Sequence, residues 1–213
     1  MRSLHDHRRE YEIGRLVRAD LDDDPLSVFV RWFDEAREAG NRDPSAMTLA
    51  TATKDGRPSA RMVLLKSVGP KGFVFATHYT SPKALNLLEN PQAALVFYWP
   101  ETERQVRVEG DASRLGREDS QAIFSARPRQ AQIAALIGGQ STPIESRGEL
   151  EARYGAKALE HPEGEIPVPE TWGGYVVAPR TIEFWQGGQH RLHDRFLYSR
   201  QDDGSWTITR LMP

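Results

Sequence analysis

The residues in this sequence that are best suited to chemistry lie in QGGQHRLHDRFLY, residues 186–198, directly after the β-branched and aromatic segment TIEFWQ. Arg191, His193 and Arg195 occur there at every second position. Because alternate side chains of a β-strand point to opposite faces, a strand over this stretch would place all three on one face. Such a row of positive or potentially positive groups predicts contact with an anionic ligand.

Other cations lie on or beside segments with strand or helix patterns. RMVLLK has Arg61 and Lys66 at the two ends of an apolar strand, although charges at strand ends can simply be solvated. Lys83 follows Ser81 and Pro82 at the start of a predicted helix, where backbone N–H groups and the helix dipole favour an anion. An exposed lysine on a helix turn is the plainer interpretation of Lys83.

Three further segments offer polar groups for a ligand. Gln105 lies on a predicted half-buried strand, where its amide could hydrogen-bond a heteroaromatic ring, unless the position is an exposed edge. Arg127 in RPRQAQ could hold phosphate oxygens with its forked guanidinium, or simply end a helix. Gln140 and Ser141 in GGQST supply donors, or only form a turn. Together these groups favour an anionic ligand, but they include no pair of side chains suited to general acid–base catalysis. This combination indicates a phosphorylated cofactor that performs the chemistry itself.

Several classes of site are excluded by the sequence. It contains no GxGxxG, GxxxxGK[ST] or GxSxG motif, and it has no Cys. Dinucleotide-binding, P-loop, nucleophile-elbow and thiolate sites are therefore not expected. His190 and His193 form an H-x-x-H pair, but a strand would point them to opposite faces, so we expect no metal site.

Charge and hydropathy limit the partners of the chain. The net charge is −2, from 28 basic and 30 acidic residues, so we expect no general binding to nucleic acid. The sequence has no apolar run near the length of a membrane span and no signal-peptide core. We therefore expect a soluble, cytoplasmic protein that does not contact a membrane.

The elements that must position these residues follow from periodicity and turn residues. We expect a polar N-terminal arm over residues 1–20 and a single domain over 21–213. Asp24 as the N-cap and Pro25 in the first turn predict a helix over about 24–40. Ser81 as the N-cap predicts a second helix over 81–90. Residues 116–160 have a helical pattern that is broken around GGQSTP.

Strand patterns occupy most of the remaining sequence. The turns KDGRP and GPKG separate some of them, and DDG at 202–204 predicts a hairpin near the C-terminus. Short turns between strands, with helices gathered in blocks, predict a mainly β fold with flanking helices, in the α+β class. We expect an antiparallel barrel with the helices packed outside. The strand-like segments before the long helical region are AMTLATAT, ARMVLLKSV, FVFATH, AALVFYW and RQVRVEGDASRL.

A family resemblance rests on eight motifs in a fixed order. They are RREY, RMVLLK, ATHYTSPKA, ERQVRVEG, SARPRQAQ, GGQS, WGGY and IEFWQGGQHRLHDRFLY. The sequence resembles the pyridoxine (pyridoxamine) 5′-phosphate oxidase family from about residue 8 to the final RLMP. The resemblance implies an antiparallel split β-barrel homodimer with FMN at the subunit interface. It also implies oxidation of pyridoxamine or pyridoxine 5′-phosphate to pyridoxal 5′-phosphate, with O2 as acceptor and H2O2 as product.

The resemblance assigns roles residue by residue. It implies that Arg8 and Tyr11 close the arm over the site as a lid, and that Arg191 and His193 are catalytic. The residues matching the family's substrate contacts are Arg8, Tyr11, Lys66, Arg127, Arg191 and His193. Those matching its FMN contacts are Arg61, Met62, Val63, Leu64, Leu65, Lys66, Ala76, Thr77, Lys83, Gln105, Gln140, Ser141, Trp185 and Arg195.

Three positions depart from the family pattern. Ile123 and Ala131 replace a Tyr and a Ser that contact the substrate phosphate, and Pro82 replaces an Arg that binds the FMN phosphate. A hydrogen bond to a charged group is worth roughly 1.5–3 kcal/mol, so we expect weaker substrate binding. Two alternatives therefore remain: a related FMN-dependent oxidase that acts on another substrate, such as a phenazine precursor, and a non-catalytic flavin- or pyridoxal-phosphate-binding carrier.

Overall fold

The computed structural model describes residues 10–213, so the proposed substrate contact Arg8 lies outside the described residues. The helices are α1 (Pro25–Glu38), α2 (Pro82–Glu89), α3 (Arg117–Ser125), α4 (Arg129–Leu136) and α5 (Arg147–Glu160). The strands are β1 (Ala46–Ala52), β2 (Pro58–Leu64), β3 (Ser67–Gly69), β4 (Gly72–His78), β5 (Gln92–Trp99), β6 (Arg104–Arg114), β7 (Trp172–Gln186), β8 (Asp194–Arg200) and β9 (Trp206–Leu211). The predicted mainly β fold with flanking helices is confirmed. None of the described helices is long and apolar enough to cross a membrane.

The strands form a sheet with the order β2-β1-β5-β6-β7-β4-β3, to which β8 is added beside β7 and β9 beside β8. The pairs β3–β4, β4–β7, β7–β8 and β8–β9 are antiparallel. The first part of β7 pairs with β4 and its last part pairs with β8. This long strand therefore changes its partner along its length.

The chain divides into two compact units. Among the described residues, the arm unit comprises 10–49, Ala94–Gly110 and Pro179–Pro213, and the cleft unit comprises Ala50–Ala93 and Asp111–Ala178. The arm unit contains β8 and β9, and the cleft unit contains β2, β3 and β4.

Helix α1 provides one side of the core of the arm unit. The Asp24 carboxylate accepts hydrogen bonds from the backbone N–H groups of Leu26 and Ser27, which confirms the predicted N-cap. Trp32 from the apolar stripe of α1 packs edge-to-face on Phe184 of β7, with the ring centroids 5.1 Å apart. Burial of these rings fixes α1 on the sheet.

The core of the cleft unit joins α3 and α4 to the start of β7. Phe124 and Trp172 are buried, and their rings pack edge-to-face at 5.1 Å. Ile133, Ala135 and Ile166 complete this buried cluster. It places the α3–α4 connection, which contains Arg127, beside Trp172.

The predicted second helix is confirmed at Pro82–Glu89, but two predictions of local detail are wrong. Ser81 occupies the N-cap position of α2, but its side chain does not cap the helix. The Ser81 hydroxyl donates instead to the backbone carbonyl of His78 at 2.7 Å. This hydrogen bond holds the Ser81 hydroxyl at the end of β4, where its oxygen accepts a hydrogen bond from Lys83 Nζ.

The second wrong prediction concerns the strand proposed to carry Arg191, His193 and Arg195 on one face. Strand β8 begins only at Asp194, and Gln189–Arg191 forms a 3-10 turn. His190 and Arg191 have φ values of 55° and 65°, which a strand excludes. The glycines before this turn permit it, since a Cβ on Gly188 would lie 2.3 Å from the carbonyl oxygen of Leu192. Of the three cations, therefore, Arg195 lies in the strand.

Candidate functional site

The cleft unit contains a cavity of about 470 Å³ beside β2, β4 and α2. Many of the residues expected to contact FMN line it, and so do the substrate-contact candidates Lys66 and Arg127. None of the substituted positions Pro82, Ile123 and Ala131 is among its lining residues. The lining residues that were expected to contact FMN are Arg61, Met62, Val63, Leu64, Lys66, Ala76, Thr77, Lys83, Gln140 and Ser141.

Lys83 is the most informative group in this cleft. It is only 8% exposed, and its Nζ donates to Gln140 Oε1 at 2.7 Å, Thr77 Oγ1 at 3.1 Å and Ser81 Oγ at 3.3 Å. All three acceptors are neutral. Burial, followed by the nearby charge of Arg61, lowers the pKa of Lys83. A buried ammonium held by neutral groups is stabilised when an anion binds beside it.

Arg61 extends the positive charge of the cleft along β2. Its guanidinium donates to Thr51 Oγ1 at 3.0 Å and to Ser59 Oγ at 2.6 Å. Burial lowers the pKa of Arg61. Since Arg61 also affects the pKa of Lys83 through its charge, the two cations act on the same region of the cleft.

Arg127 is held by aromatic rings. Its Cζ lies 5.1 Å from the Trp172 ring centroid and 5.9 Å from that of Phe124. Such cation–π contacts orient a guanidinium without neutralising its charge. Burial lowers the pKa of Arg127. Ile123 packs against the buried cluster that includes both rings, so it supports this arrangement through its apolar surface.

His78 also lines the cleft, and sequence reasoning missed it. The residue is 7% exposed, and its Nδ1 has no hydrogen-bond partner within the described part of the chain. Burial lowers the pKa of His78, and the charges of Arg127 and Lys83 lower it further. The available signal was its position at the end of β4, directly after the expected FMN contacts Ala76 and Thr77.

A second group of candidates lies in the arm unit, around three rings. The Tyr11 ring is edge-to-face with Trp185 at 5.4 Å and with His193 at 5.5 Å. Trp185 and His193 lie 4.7 Å apart. A Cβ on Gly187 would lie within 2.7 Å of the Tyr11 ring, so this approach requires glycine at that position. Tyr11 therefore lies directly over the glycine pair that precedes the cationic loop.

Hydrogen bonds attach the segment around Tyr11 to the arm unit. The buried Glu103 carboxylate accepts the backbone N–H groups of Glu12 and Ile13 at 2.8 and 3.0 Å. Asp194 Oδ2 accepts the N–H of Leu16 at 3.0 Å. Glu103 and Asp194, which are far apart in sequence, thus bind the backbone of the N-terminal segment 12–16. Nothing in the local sequence of either residue indicated this role.

His193 has a defined hydrogen-bonding state. Its Nδ1 accepts the backbone N–H of Gly188 at 3.1 Å, so the neutral ring carries its proton on Nε2. Burial lowers the pKa of His193, the charges of Arg191 and Arg195 lower it further, and Glu10 opposes them. His193 can therefore donate a hydrogen bond from Nε2 at neutral pH.

The remaining candidates are placed by the sheet. Arg195 of β8 pairs in register with Trp185 of β7 and is held by the buried carboxylate of Glu183. The hydrogen bond from Arg195 to Glu183 raises the pKa of Arg195. Leu65 follows β2 and Gln105 lies on β6, and both are half-buried.

The chain is similar to known proteins over nearly its whole length. Residues 33–168 match the family model for pyridoxamine 5′-phosphate oxidase. Residues 172–213 match the model for the pyridoxine 5′-phosphate oxidase C-terminal dimerisation region. A pyridoxine/pyridoxamine 5′-phosphate oxidase of Rubrobacter xylanophilus is 51% identical over 212 residues, covering 100% of this chain and 97% of the relative. The enzyme of the same name from Salinibacter ruber is 50% identical over 215 residues, with full coverage of both chains.

Solved structures show the same fold. PhzG from Burkholderia lata, in complex with tetrahydrophenazine-1-carboxylic acid, superposes with a TM-score of 0.87 at 32% identity, covering 94% of this chain and 99% of that one. A pyridoxamine 5′-phosphate oxidase-related, FMN-binding protein from Nostoc punctiforme has a TM-score of 0.71 at 19% identity, covering 91% of this chain and 100% of that one, and supports the fold alone. From the two family models and the full-length relatives, we conclude that the chain belongs to the pyridoxamine 5′-phosphate oxidase family.

Proposed function

We propose that this protein oxidises pyridoxamine and pyridoxine 5′-phosphate to pyridoxal 5′-phosphate, with FMN as cofactor, O2 as acceptor and H2O2 as product. The active form is a homodimer with FMN at the subunit interface. Full-length relatives at about half identity carry the name of this activity. The observation that carries the proposal is Lys83, a buried cation whose three acceptors are neutral and which therefore favours a bound anion.

The chemistry of the cleft fits the phosphate of FMN. Lys83 and Arg61 supply positive charge, and both can donate charge-assisted hydrogen bonds to phosphate oxygens. Pro82 supplies no charge, so Lys83 and Arg61 would neutralise the phosphate. When bound, FMN would supply the two-electron acceptor of the oxidation, and O2 would then take up the electrons as H2O2.

The phosphate of the substrate is assigned to Lys66 and Arg127. Arg127 is already oriented by the Trp172 ring, so little side-chain freedom is lost when it meets a phosphate. Ile123 and Ala131 add no hydrogen bond, which leaves the affinity for the phosphate dependent on these two cations.

The ring of the substrate is assigned to the cluster around Tyr11. His193 would donate a hydrogen bond from Nε2, and Arg191 would supply a positive charge that orients the ring. Arg191 has a positive φ of 65°, a strained conformation of the kind that clusters at ligand-binding sites. The rings of Tyr11 and Trp185 would form a wall that excludes water from the reacting carbon.

A second candidate substrate is a phenazine precursor. Ile123 and Ala131 remove two polar contacts to a substrate phosphate, and PhzG, at 32% identity, is in complex with tetrahydrophenazine-1-carboxylic acid. The identity to the pyridoxine/pyridoxamine oxidases is higher, at about half of all positions. We therefore place the phosphorylated pyridines first.

The test is aerobic turnover of FMN-loaded protein with pyridoxine 5′-phosphate and, separately, with pyridoxamine 5′-phosphate. Pyridoxal 5′-phosphate and H2O2 are followed together, and we expect them in equal amounts. A yellow protein that consumes no O2 with either substrate contradicts the proposal. Turnover with tetrahydrophenazine-1-carboxylic acid would then favour the second candidate, and no turnover at all would favour a carrier.

A further inference from the structure

The buried carboxylate of Glu183 lies at the centre of an arginine network in the arm unit. Glu183 is 5% exposed on β7. Its Oε1 accepts from Arg195 Nε at 2.8 Å, and its Oε2 accepts from Arg107 Nη1 at 3.1 Å. The family resemblance assigns Glu183 no contact with FMN or substrate. In sequence it is a single acid within the apolar strand TIEFWQ.

The sheet brings Glu183 and Arg195 to the same surface. Arg195 pairs with Trp185 across β7 and β8, and Glu183 lies two residues before Trp185. Since residues two apart on a strand share a face, Glu183, Trp185 and Arg195 all project from one face. The register of β7 and β8 therefore places the Glu183 carboxylate beside Arg195. Paired strands hold the two side chains more rigidly than a loop would.

A second contact completes the fixation of Arg195. Its Nη1 donates to the backbone carbonyl oxygen of Met212 at 2.8 Å. The pairing of Arg195 with Leu211 at the end of β9 places this carbonyl there. With Nε and Nη1 both engaged, the guanidinium plane is fixed. The third nitrogen, Nη2, makes no hydrogen bond within residues 10–213.

We propose that Glu183 is a positioning residue which, together with the Met212 carbonyl, fixes Arg195 so that its Nη2 is directed at the flavin cofactor. This assignment rests on the proposed function, because it takes FMN to be the ligand of Arg195. Glu183 itself touches no ligand and acts through the arginine. The hydrogen bond to Glu183 also raises the pKa of the Arg195 guanidinium.

The primary test is the FMN dissociation constant of Glu183→Gln, measured as quenching of flavin fluorescence when the flavin-free full-length protein is titrated back. We expect a ~10-fold weaker affinity, about the value of one charge-assisted hydrogen bond to the ligand. The matched control is Glu109→Gln, since Glu109 pairs with Nη2 of Arg107 at 2.8 Å from an exposed position. We expect that control to change the affinity less than about twofold.

A double-mutant cycle separates positioning from a general effect on the fold. In an Arg195→Ala background, Glu183→Gln should change the FMN affinity less than about twofold, because the group through which it acts is gone. An equal loss in both backgrounds, or no loss in either, overturns the assignment. Wild-type protein that binds FMN while the cycle is additive leaves the proposed function intact. Wild-type protein that binds no FMN overturns both.

Folding of each variant is checked by thermal unfolding. If Glu183→Gln does not fold, Glu183→Asp is used in the same cycle, since it keeps the charge but withdraws the carboxylate by one methylene. We expect a smaller loss for that variant, and again only when Arg195 is present. If neither variant folds, Glu183 acts on the fold and the assignment is overturned.

Discussion

Lys83 and Arg127 in the cleft unit are held differently from Arg195 and Arg107 in the arm unit. In the cleft unit, Lys83 donates to neutral side chains and Arg127 is packed on aromatic rings. In the arm unit, Arg195 and Arg107 share the buried carboxylate of Glu183. A cation held by neutral groups keeps its charge for a ligand, whereas a cation held by a carboxylate has its charge largely balanced and its direction fixed. We infer that the cleft unit supplies attraction for anions and the arm unit supplies orientation.

The same difference is visible in the pKa values. Burial lowers the pKa of Lys83 and of Arg127, while the hydrogen bond to Glu183 raises that of Arg195. The first two groups are less stable as cations than in water, and an anion would relieve this. Arg195 has no such need. Substitutions of Lys83 and Arg127 should therefore remove charge that attracts a ligand, whereas substitutions of the groups that hold Arg195 should misdirect a charge that remains.

The largest effect should come from Lys83→Met. We expect the dissociation constant for FMN to rise ~100-fold, since several charge-assisted contacts depend on this ammonium. The flavin-free protein should be as stable as the wild type or more so, because a desolvated charge has been replaced by an apolar chain of similar length. Flavin fluorescence and thermal unfolding measure the two quantities. Lys71→Met, at an exposed position in the same unit, is the control and should change neither.

Arg127→Ala should weaken substrate binding next most strongly. With Ile123 and Ala131 offering no hydrogen bond, we expect KM for pyridoxine 5′-phosphate to rise ~10- to 50-fold and kcat to change much less. Steady-state kinetics at saturating O2 measures both constants. Arg147→Ala, whose side chain is 83% exposed on α5, is the control. A fall in kcat without a change in KM would show that Arg127 acts on the reaction rather than on binding.

Tyr11→Ala should have a smaller effect, because it removes ring packing and leaves every charge in place. Loss of the two edge-to-face contacts predicts a KM increase of about three- to tenfold. Tyr11→Phe keeps the rings and should stay within about twofold of the wild type if packing is the cause. Equal losses in both variants would instead indicate that the hydroxyl contacts the substrate.

The smallest effect concerns the pH dependence of stability through His78. Its folded-state pKa is lowered, so the unfolded chain takes up the proton first as the pH falls. The stabilisation is therefore complete above the unfolded value of 6.5 and is lost as the pH falls below it toward the folded pKa. Thermal midpoints between neutral and mildly acidic pH should fall less steeply in His78→Asn. Inorganic phosphate in the cleft should reduce the difference, because an anion offsets the charges of Arg127 and Lys83.

Strong local patterns made much of the fold predictable. Helix α1 was expected from Asp24, Pro25 and the apolar stripe, and the structure places it at Pro25–Glu38. The helical region after β6 was expected to break around GGQSTP, and α4 and α5 lie on either side of that segment. Capping residues, prolines and hydrophobic periodicity act over a few residues, so one sequence is enough to reveal them.

The loop at Gly187 and Gly188 was not predictable in the same way. Alternating Arg191, His193 and Arg195 matched a strand, but the preceding backbone folds closely onto Leu192 and Tyr11. Tyr11 lies far away in sequence, so no local pattern could indicate that its ring covers this glycine pair. The anionic ligand that these residue types suggested stays a prediction, while the prediction of their common face is wrong.

By itself, the sequence determined the family, the fold class and the residues that can carry charge to a phosphate, because these follow from residue types in a fixed order. Only the tertiary structure decided how each charge is held. It placed Lys83 among neutral acceptors, His78 without a partner for Nδ1 within the described residues, and Glu183 beneath Arg195. The burial and pairing of a charged side chain depend on strand register and on contacts between residues far apart in the chain. Burial and pairing in turn determine whether a cation attracts a ligand or is directed at it.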